Sequence, residues 1–445
     1  MTVRKLSDES ESETDNESLL HATKKSKTSE LSTLKNLYLD TINRKVLDFD
    51  FEKVCSQTLS NKNIYCCLVC GKYFSGRSST TPCFLHSINE NHHIFVNFNN
   101  LKVYNLPENY EIEGDQFNDI KIQIKPEYTA LDINDLQKGI FAECRDLNGK
   151  IYTQSVLGLN NLKENDYSNV IIQALVHIPQ LRDYYLLKND DKNGESRDEL
   201  ERRFLILMKK FYSKQLFKAH LSPHEFLQYV SVISKKKFLI HEKGTPNDFL
   251  IWLLNNLNQH SKIFSRSFQG KLEILTRTQD SSKEEDIKVQ KFWELNLELP
   301  SMSILKDEAI PQIQIYSLLD KYTANFEQVV NDTTSRIFKI IKFPNFLVMN
   351  INRFKDFHLG VSLSIKERNK TIIEFPLELQ FNQGTIKYKL ISNIVHYELN
   401  LKSHWKIQLN VHDNWYEIDN LEIKEKEKEF LFLSESCLQI WQRIK

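Results

Sequence analysis

Cys67-Leu68-Val69-Cys70 is a CxxC pair, His86 follows sixteen positions after Cys70, and His92 stands six further on. Two thiolates and two imidazoles in so short a span make a closed tetrahedral donor set. That is how a structural zinc ion is held, with no position left for water. Gly71 follows directly, where the tight turn of a metal knuckle needs backbone freedom. The expected content is one structural Zn2+ on Cys67, Cys70, His86 and His92. Two register choices stay open, because Cys66 adjoins Cys67 and His93 adjoins His92. The plainer alternative is a pair of core thiols with histidines at the surface. Cys55 and Cys83 read as buried thiols. The interval from Cys70 to His86 exceeds the roughly twelve residues of a DNA-reading ββα finger, which disfavours that fold.

A second group is scattered. Gly158-Leu159-Asn160-Asn161-Leu162 leads into Asp166-Tyr167-Ser168-Asn169 at the start of an apolar periodic segment. Far downstream come Ser403-His404-Trp405 and Trp415-Tyr416-Glu417-Ile418-Asp419. Thioester chemistry needs a thiolate on a positioned helix start, and no cysteine occurs between Cys144 and Cys437. Read singly, Asp166 is a first-turn aspartate that caps free amides and complements the helix dipole, worth about 0.5–2 kcal/mol. His404 beside Trp405 reads as strand packing, and Asn161 and Asp419 as polar turn residues.

The elements that must position these groups follow from periodicity. Tyr167, Val170, Ile171, Ala174 and Leu175 repeat with helical spacing, closed by Pro179. The same spacing recurs in Phe204, Leu205, Leu207, Met208, Phe211 and Tyr212, and across 249–257. Beyond about residue 265 strand patterns dominate, at 337–343, 346–353, 388–396 and 404–411. The alternating run Ile120-Lys121-Ile122-Gln123-Ile124 also reads as a strand. Helices first and strands afterwards imply an α+β fold.

Composition sets the frame. The chain has 445 residues, 40% hydrophobic and 27% charged, which fits a globular protein of two or three domains at about 150 residues each. The net charge is zero, so no broad electrostatic grip on nucleic acid is implied. No stretch approaches a membrane span, and no apolar signal-type run follows the N-terminal Met1-Thr2-Val3-Arg4-Lys5. Seven cysteines bunched towards the N-terminal third suit a reducing cytosol or nucleus. Residues 1–33 run from an acidic, serine-rich block to the basic cluster Lys24-Lys25-Ser26-Lys27 and read as a disordered tail. A zinc-binding module is expected over 34–125, a connecting segment over 126–150 and one large domain over 151–445. Segment 275–290 is its most polar part and is expected to be a mobile fingertip.

The motifs together carry a resemblance. The segment from Gly158 to Asn169 with Gln173-Ala174-Leu175 is similar to the cysteine box of ubiquitin-specific proteases. Tyr388-Lys389-Leu390, His396, Ser403-His404-Trp405 and Trp415 to Asp419 resemble their histidine box, and Phe346 to Phe354 the strand ahead of it. Phe268-Gln269-Gly270 resembles the start of their fingers, without the paired CxxC knuckles that usually follow. With the cysteine- and histidine-rich segment 67–110, the chain resembles the splicing-associated, catalytically inactive members of that family with an N-terminal UBP-type zinc finger. The resemblance runs from about Asn36 to Trp441. It implies a papain-like pseudo-enzyme domain in which Asp166 takes the nucleophile's place, His404 the base's, Asp419 the orienter's and Asn161 the oxyanion donor's. It further implies a nuclear, non-catalytic splicing factor that helps assemble or stabilise the spliceosomal tri-snRNP. Its proteins would be the partners, with small nuclear RNAs second and no membrane contact. Related zinc domains hold the free C-terminal tail of ubiquitin in a pocket with an arginine and aromatic rings. Arg77 and Tyr104 match those places, so a ubiquitin-binding adaptor, or one for a ubiquitin-like protein, is the alternative. An active deubiquitinase ranks last.

Overall fold

The computed structural model describes residues 38–188, 199–278, 286–300, 311–323, 327–331, 334–354, 368–400 and 402–444. The expected tail, 1–33, lies outside them. The chain divides into two compact units, one from the N-terminal side to Phe49 with Lys53–Ile124, the other Asp50–Glu52 with Lys125–Lys445.

The first unit is a five-stranded antiparallel sheet with helices. Strands β1 (Ile64–Cys67), β2 (Tyr73–Ser75), β3 (Ile94–Asn97), β4 (Val103–Asn105) and β5 (Tyr110–Ile112) lie in the order β2-β1-β3-β4-β5. Helix α1 (Pro82–Asn89) sits between β2 and β3 in the chain and opens with Pro at its first position, where a missing N–H costs nothing. Tyr65, Phe74, Cys83, Phe95, Tyr104 and Leu106 form its core. The run Ile120–Ile124 is not a strand: it lies in helix α2 (Asn118–Ile124). Ile120 and Ile124 stand four apart, so the short alternation fits a helical face equally well. A preceding 3-10 turn at Asp115–Phe117 feeds the helix.

The second unit starts earlier than the sequence suggests. Residues 126–150, expected as a connector, contribute helix α3 (Ala130–Gln137) and strand Glu143–Arg145, and Ile133, Leu136 and Cys144 are buried in the unit's core. The Thr129 side chain and Asp132 form a reciprocal capping box at the start of α3, a local helix-start signal that the polar composition concealed. The helices that follow are α4 (Asp166–Val176), α5 (Pro179–Leu187), α6 (Glu199–Phe211), α7 (His224–Ile233), α8 (Pro246–His260) and α9 (Ile263–Phe268). Every residue of α4 is buried. Burial on every side places a helix in the centre of a core rather than at its edge.

Strands then take over. A four-stranded antiparallel sheet consists of β6 (Gly270–Thr278), β7 (Asp286–Phe292), β9 (Glu327–Asn331) and β10 (Thr334–Lys342) in the order β7-β6-β10-β9. Parts of segment 275–290 therefore lie in β6 and β7, and residues 279–285 are outside the described residues. The large sheet has the order β8-β11-β17-β13-β14-β15-β16, with β12 on β13. Its strands are β8 (Glu294–Glu298), β11 (Phe346–Asn352), β12 (Glu378–Phe381), β13 (Ile386–Leu399), β14 (Lys402–Val411), β15 (Asn414–Asp419), β16 (Glu422–Lys426) and β17 (Glu435–Ile444). Helix α10 (Ile315–Thr323) packs against β10. Helix α4 packs against β14, which brings residues more than two hundred positions apart together.

Candidate functional site

The metal-ligand group lies within the first unit. Cys67 ends β1, and its carbonyl accepts from Gly71 N–H (2.9 Å) while its own N–H donates to Lys72 (2.9 Å). This closes the knuckle around Cys70. Gly71 has φ +75°, and a Cβ there would come within 2.5 Å of the Val46 carbonyl oxygen, so both torsion and space require glycine. His86 comes from α1, its ring stacked on Phe74 at 4.2 Å. His92 follows that helix. Cys67 Sγ lies 3.6 Å from His92 Nδ1, Cys70 Sγ 3.5 Å from His86 Nε2, and the two imidazole nitrogens are 3.1 Å apart. All four donor atoms fall within 4.8 Å of one another. The neighbours that left the register open point elsewhere. His93 Nδ1 is 2.7 Å from the Leu106 carbonyl and its Nε2 2.8 Å from Asn91 Oδ1, while the Cys66 thiol faces the carbonyls of Cys67 and Gly71.

Arg77 and Tyr104 also meet in this unit. The Arg77 guanidinium lies 4.3 Å from the centre of the Tyr104 ring, and Arg77 donates to Asn109 Oδ1. Tyr104 is buried, so the arginine covers an aromatic face rather than extending freely into solvent.

The second unit holds the other group. Asn165 is the N-cap of α4, and its Oδ1 accepts from Leu162 N–H (2.7 Å). Its Nδ2 donates to Asn169 Oδ1 (2.9 Å), and Asn169 Nδ2 donates to the Asn160 carbonyl (3.2 Å). Asn161 Oδ1 accepts from Asn165 N–H (3.2 Å), so its side chain braces the loop. Asp166 is the first helical residue. One carboxylate oxygen accepts from Tyr167 N–H at 2.8 Å, as a capping role requires, for a single amide. The other reaches across to β14, 3.2 Å from His404 Nδ1, and accepts from Trp405 N–H at 3.3 Å. Asp166 is therefore an inter-element clasp as well as a cap. Burial raises its pKa, and the Tyr167 amide, His404 and the Trp405 amide each pull the other way.

Asp419 does not hold His404. Its Oδ2 accepts from Tyr397 OH at 2.5 Å and its Oδ1 from Asn420 Nδ2 at 2.9 Å. Tyr397 lies opposite His404 in the β13–β14 register and stacks on its ring at 5.5 Å. The tyrosine thus links histidine and aspartate, by ring contact on one side and hydroxyl on the other. No spacing rule singles out Tyr397. Its only signal is the strand pairing, which sequence alone does not give. Lys243 is another residue the motifs miss, donating from Nζ to the Ser403 carbonyl beside His404 (2.9 Å).

Comparisons with known proteins fit these units. The ubiquitin carboxyl-terminal hydrolase family model matches residues 157–440, and the model for the zinc finger in ubiquitin-hydrolases and other proteins matches residues 55–117. The chain belongs to the ubiquitin carboxyl-terminal hydrolase family, with a UBP-type zinc finger ahead of a papain-like domain. Among its relatives is the probable mRNA-splicing protein ubp10 of Schizosaccharomyces pombe, 36% identical over 92% of this chain and 88% of the relative. The pre-mRNA-splicing factor SAD1 of Saccharomyces cerevisiae is 36% identical over 91% of this chain and 93% of its own. Ubiquitin carboxyl-terminal hydrolase 39 of Homo sapiens is 36% identical over 91% and 79% respectively. A crystal structure of an essential yeast splicing factor superposes with a TM-score of 0.79 at 35% identity, covering 92% of this chain and all of that one. No helix among the described residues is long and apolar enough to cross a membrane.

Proposed function

We propose that the chain is a nuclear, non-catalytic pre-mRNA splicing factor that promotes assembly or stability of the spliceosomal tri-snRNP through its protease-like scaffold. The observation that carries this reading is the buried Asp166 carboxylate, bound to His404 and to the Trp405 amide where the reaction of this fold needs a thiolate. A carboxylate is a poor nucleophile towards an amide, and its charge opposes a forming oxyanion. The companion groups have structural duties too: Asp419 accepts from Tyr397, and Asn161 braces the loop before α4. The relatives named as splicing proteins support the process. Zero net charge favours protein surfaces in the tri-snRNP over RNA as the principal contacts.

Cys67, Cys70, His86 and His92 would hold one structural Zn2+, for which an S2N2 donor set is suited. When bound, the ion cross-links the β1 knuckle to α1 and the turn after it. A ubiquitin-tail adaptor is the second reading, favoured by the Arg77–Tyr104 stack. Titrating free ubiquitin into the full chain, with Arg77→Ala as control, decides it: absence of saturable binding removes that role.

The main reading is tested by isolating the tagged protein from nuclear extract at mild salt and identifying bound proteins and small nuclear RNAs. Tri-snRNP components are expected with wild type and equally with Asp166→Asn. Recovery of ubiquitin conjugates in their place, or cleavage of linear diubiquitin by wild type, would overturn it.

A further inference from the structure

The four-stranded sheet β7-β6-β10-β9 has a surface that the Asp166 centre does not use. Its register puts Lys271 of β6 directly opposite Lys291 of β7 on one side and Lys342 of β10 on the other. Neighbouring antiparallel strands are roughly 5 Å apart, so the three lysines occupy one rank across the sheet, with a register shift in the β6–β10 pairing just beyond Lys271. Lys339 stands opposite Glu273 on that face, one step nearer the tip. All four lysines are exposed, and none has an ion pair with another described residue. Like charges directly across a sheet destabilise it, so such a row calls for an external counter-charge.

The next rank holds Val289, Glu273 and Lys339, and the rank beyond it is aliphatic. Val289 is 54% exposed and Ile287 60%, and β6 and β10 contribute Leu275 and Ile337 beside Ile287. The opposite face is the one that buries Leu272, Phe292 and Ile340 in the core, so these apolar side chains are not the sheet's own packing surface. At the tip Arg277 is offset by Glu327, 3.8 Å away. The lysine row and Lys339 set four positive charges against the single carboxylate of Glu273, so the face keeps a net positive charge.

We propose that this face docks an acidic, amphipathic segment of a partner protein, whose carboxylates meet Lys271, Lys291 and Lys342 and whose apolar side chains cover Ile287 and Val289. Charge complementarity sets the sign of the partner. The aliphatic rank, with no aromatic ring to stack a base, favours protein over RNA. The surface is separate from the former catalytic centre, and the proposal stands whether or not that centre binds anything.

The test uses the full chain and three fluorescein-labelled probes: a Glu/Leu amphipathic helical peptide, its Lys/Leu counterpart and a single-stranded uridine RNA. Anisotropy titration should show saturable binding of the acidic peptide, at least tenfold tighter than the basic one. Lys271→Glu/Lys291→Glu should weaken it by at least tenfold, as should Ile287→Ser/Val289→Ser with all lysines kept. Asp166→Asn should leave it unchanged. All four substituted positions are exposed, so the variants are expected to fold, and an unaltered melting profile checks this. Equal affinity for the two peptides, or insensitivity to both double variants, would sink the proposal. RNA binding that is tighter than peptide binding and lost with the lysines would replace it with a phosphate-binding surface.

Discussion

Truncating Asp166 to alanine tests whether its carboxylate is a clasp. The change removes the acceptor of two backbone donors, Tyr167 N–H at 2.8 Å and Trp405 N–H at 3.3 Å, and the partner of His404 Nδ1 at 3.2 Å. A buried donor left without an acceptor costs about 1–3 kcal/mol. One part is returned, because burial raises the Asp166 pKa and so disfavours the ionised carboxyl in the fold. The net expectation for Asp166→Ala is about 2–4 kcal/mol of destabilisation, and for Asp166→Asn, whose single oxygen can serve one of the two amides while its NH2 faces the other, about 1–2 kcal/mol. An acid with a raised folded pKa contributes stability that is complete below its unfolded value and is lost as pH rises through the folded one. Asp166→Asn should therefore compare better with wild type at neutral pH than near the ordinary carboxyl value of 3.8. Urea unfolding followed by tryptophan fluorescence is the assay. All five tryptophans, Trp252, Trp293, Trp405, Trp415 and Trp441, lie in the second unit, so the first does not mix into the signal. If alanine is as stable as asparagine, the cross-element bonds contribute nothing and the clasp is refuted.

Three further outcomes follow from the same geometry. Burial pushes the Glu294 carboxyl up to about 7, and its Oε2 has no partner among the described residues, so its contribution is complete below about 4.5 and lost as pH rises through 7. Glu294→Gln should accordingly flatten a fall of up to about 3 kcal/mol across that interval, read from urea midpoints at several pH values; an unchanged slope would count against it. One zinc per chain is expected by metal analysis, lost with Cys70→Ser and kept with Cys66→Ala, whereas loss with Cys66→Ala would move the ligand register. Asp166→Cys should not yield measurable hydrolysis of a ubiquitin–fluorophore substrate, since Asp419 is engaged by Tyr397 and Asn161 by Asn165 N–H; robust turnover would show that the thiol alone was missing.

Legibility followed the distance along the chain over which each contact forms. The CxxC spacing and the two histidines marked a metal group because knuckle geometry is local. The choice between Cys66 and Cys67 was not local. Neighbours in a strand face opposite ways, and only the pairing of β1 tells which side faces His86 and His92. The long strands at 346–353, 388–396 and 404–411 were visible as buried alternation. The run Ile120–Ile124 was misread because five residues cannot separate a period of two from an i, i+4 pair. The apparent connector at 126–150 hid a capped helix whose Ile133 and Leu136 are buried only in a core built from residues far downstream. Tyr397, positioned by strand register, was invisible for the same reason.

His404 has a structural role that needs no catalysis. The helix α4 start and β14 meet across a separation of 238 residues, and the Asp166–His404 contact lies at that junction. A thiol is a weak acceptor and could not serve the Tyr167 and Trp405 amides together with an imidazole. A carboxylate with two oxygens can, and Asp166 does. Removing His404 would take away a neighbour that favours the charged carboxylate in a buried place. Tyr397 would lose its stacking partner while staying bound to Asp419. His404 is thus held from two sides, by the Asp166 carboxylate and by the Tyr397 ring, while the Tyr397–Asp419 bond stands independently of it.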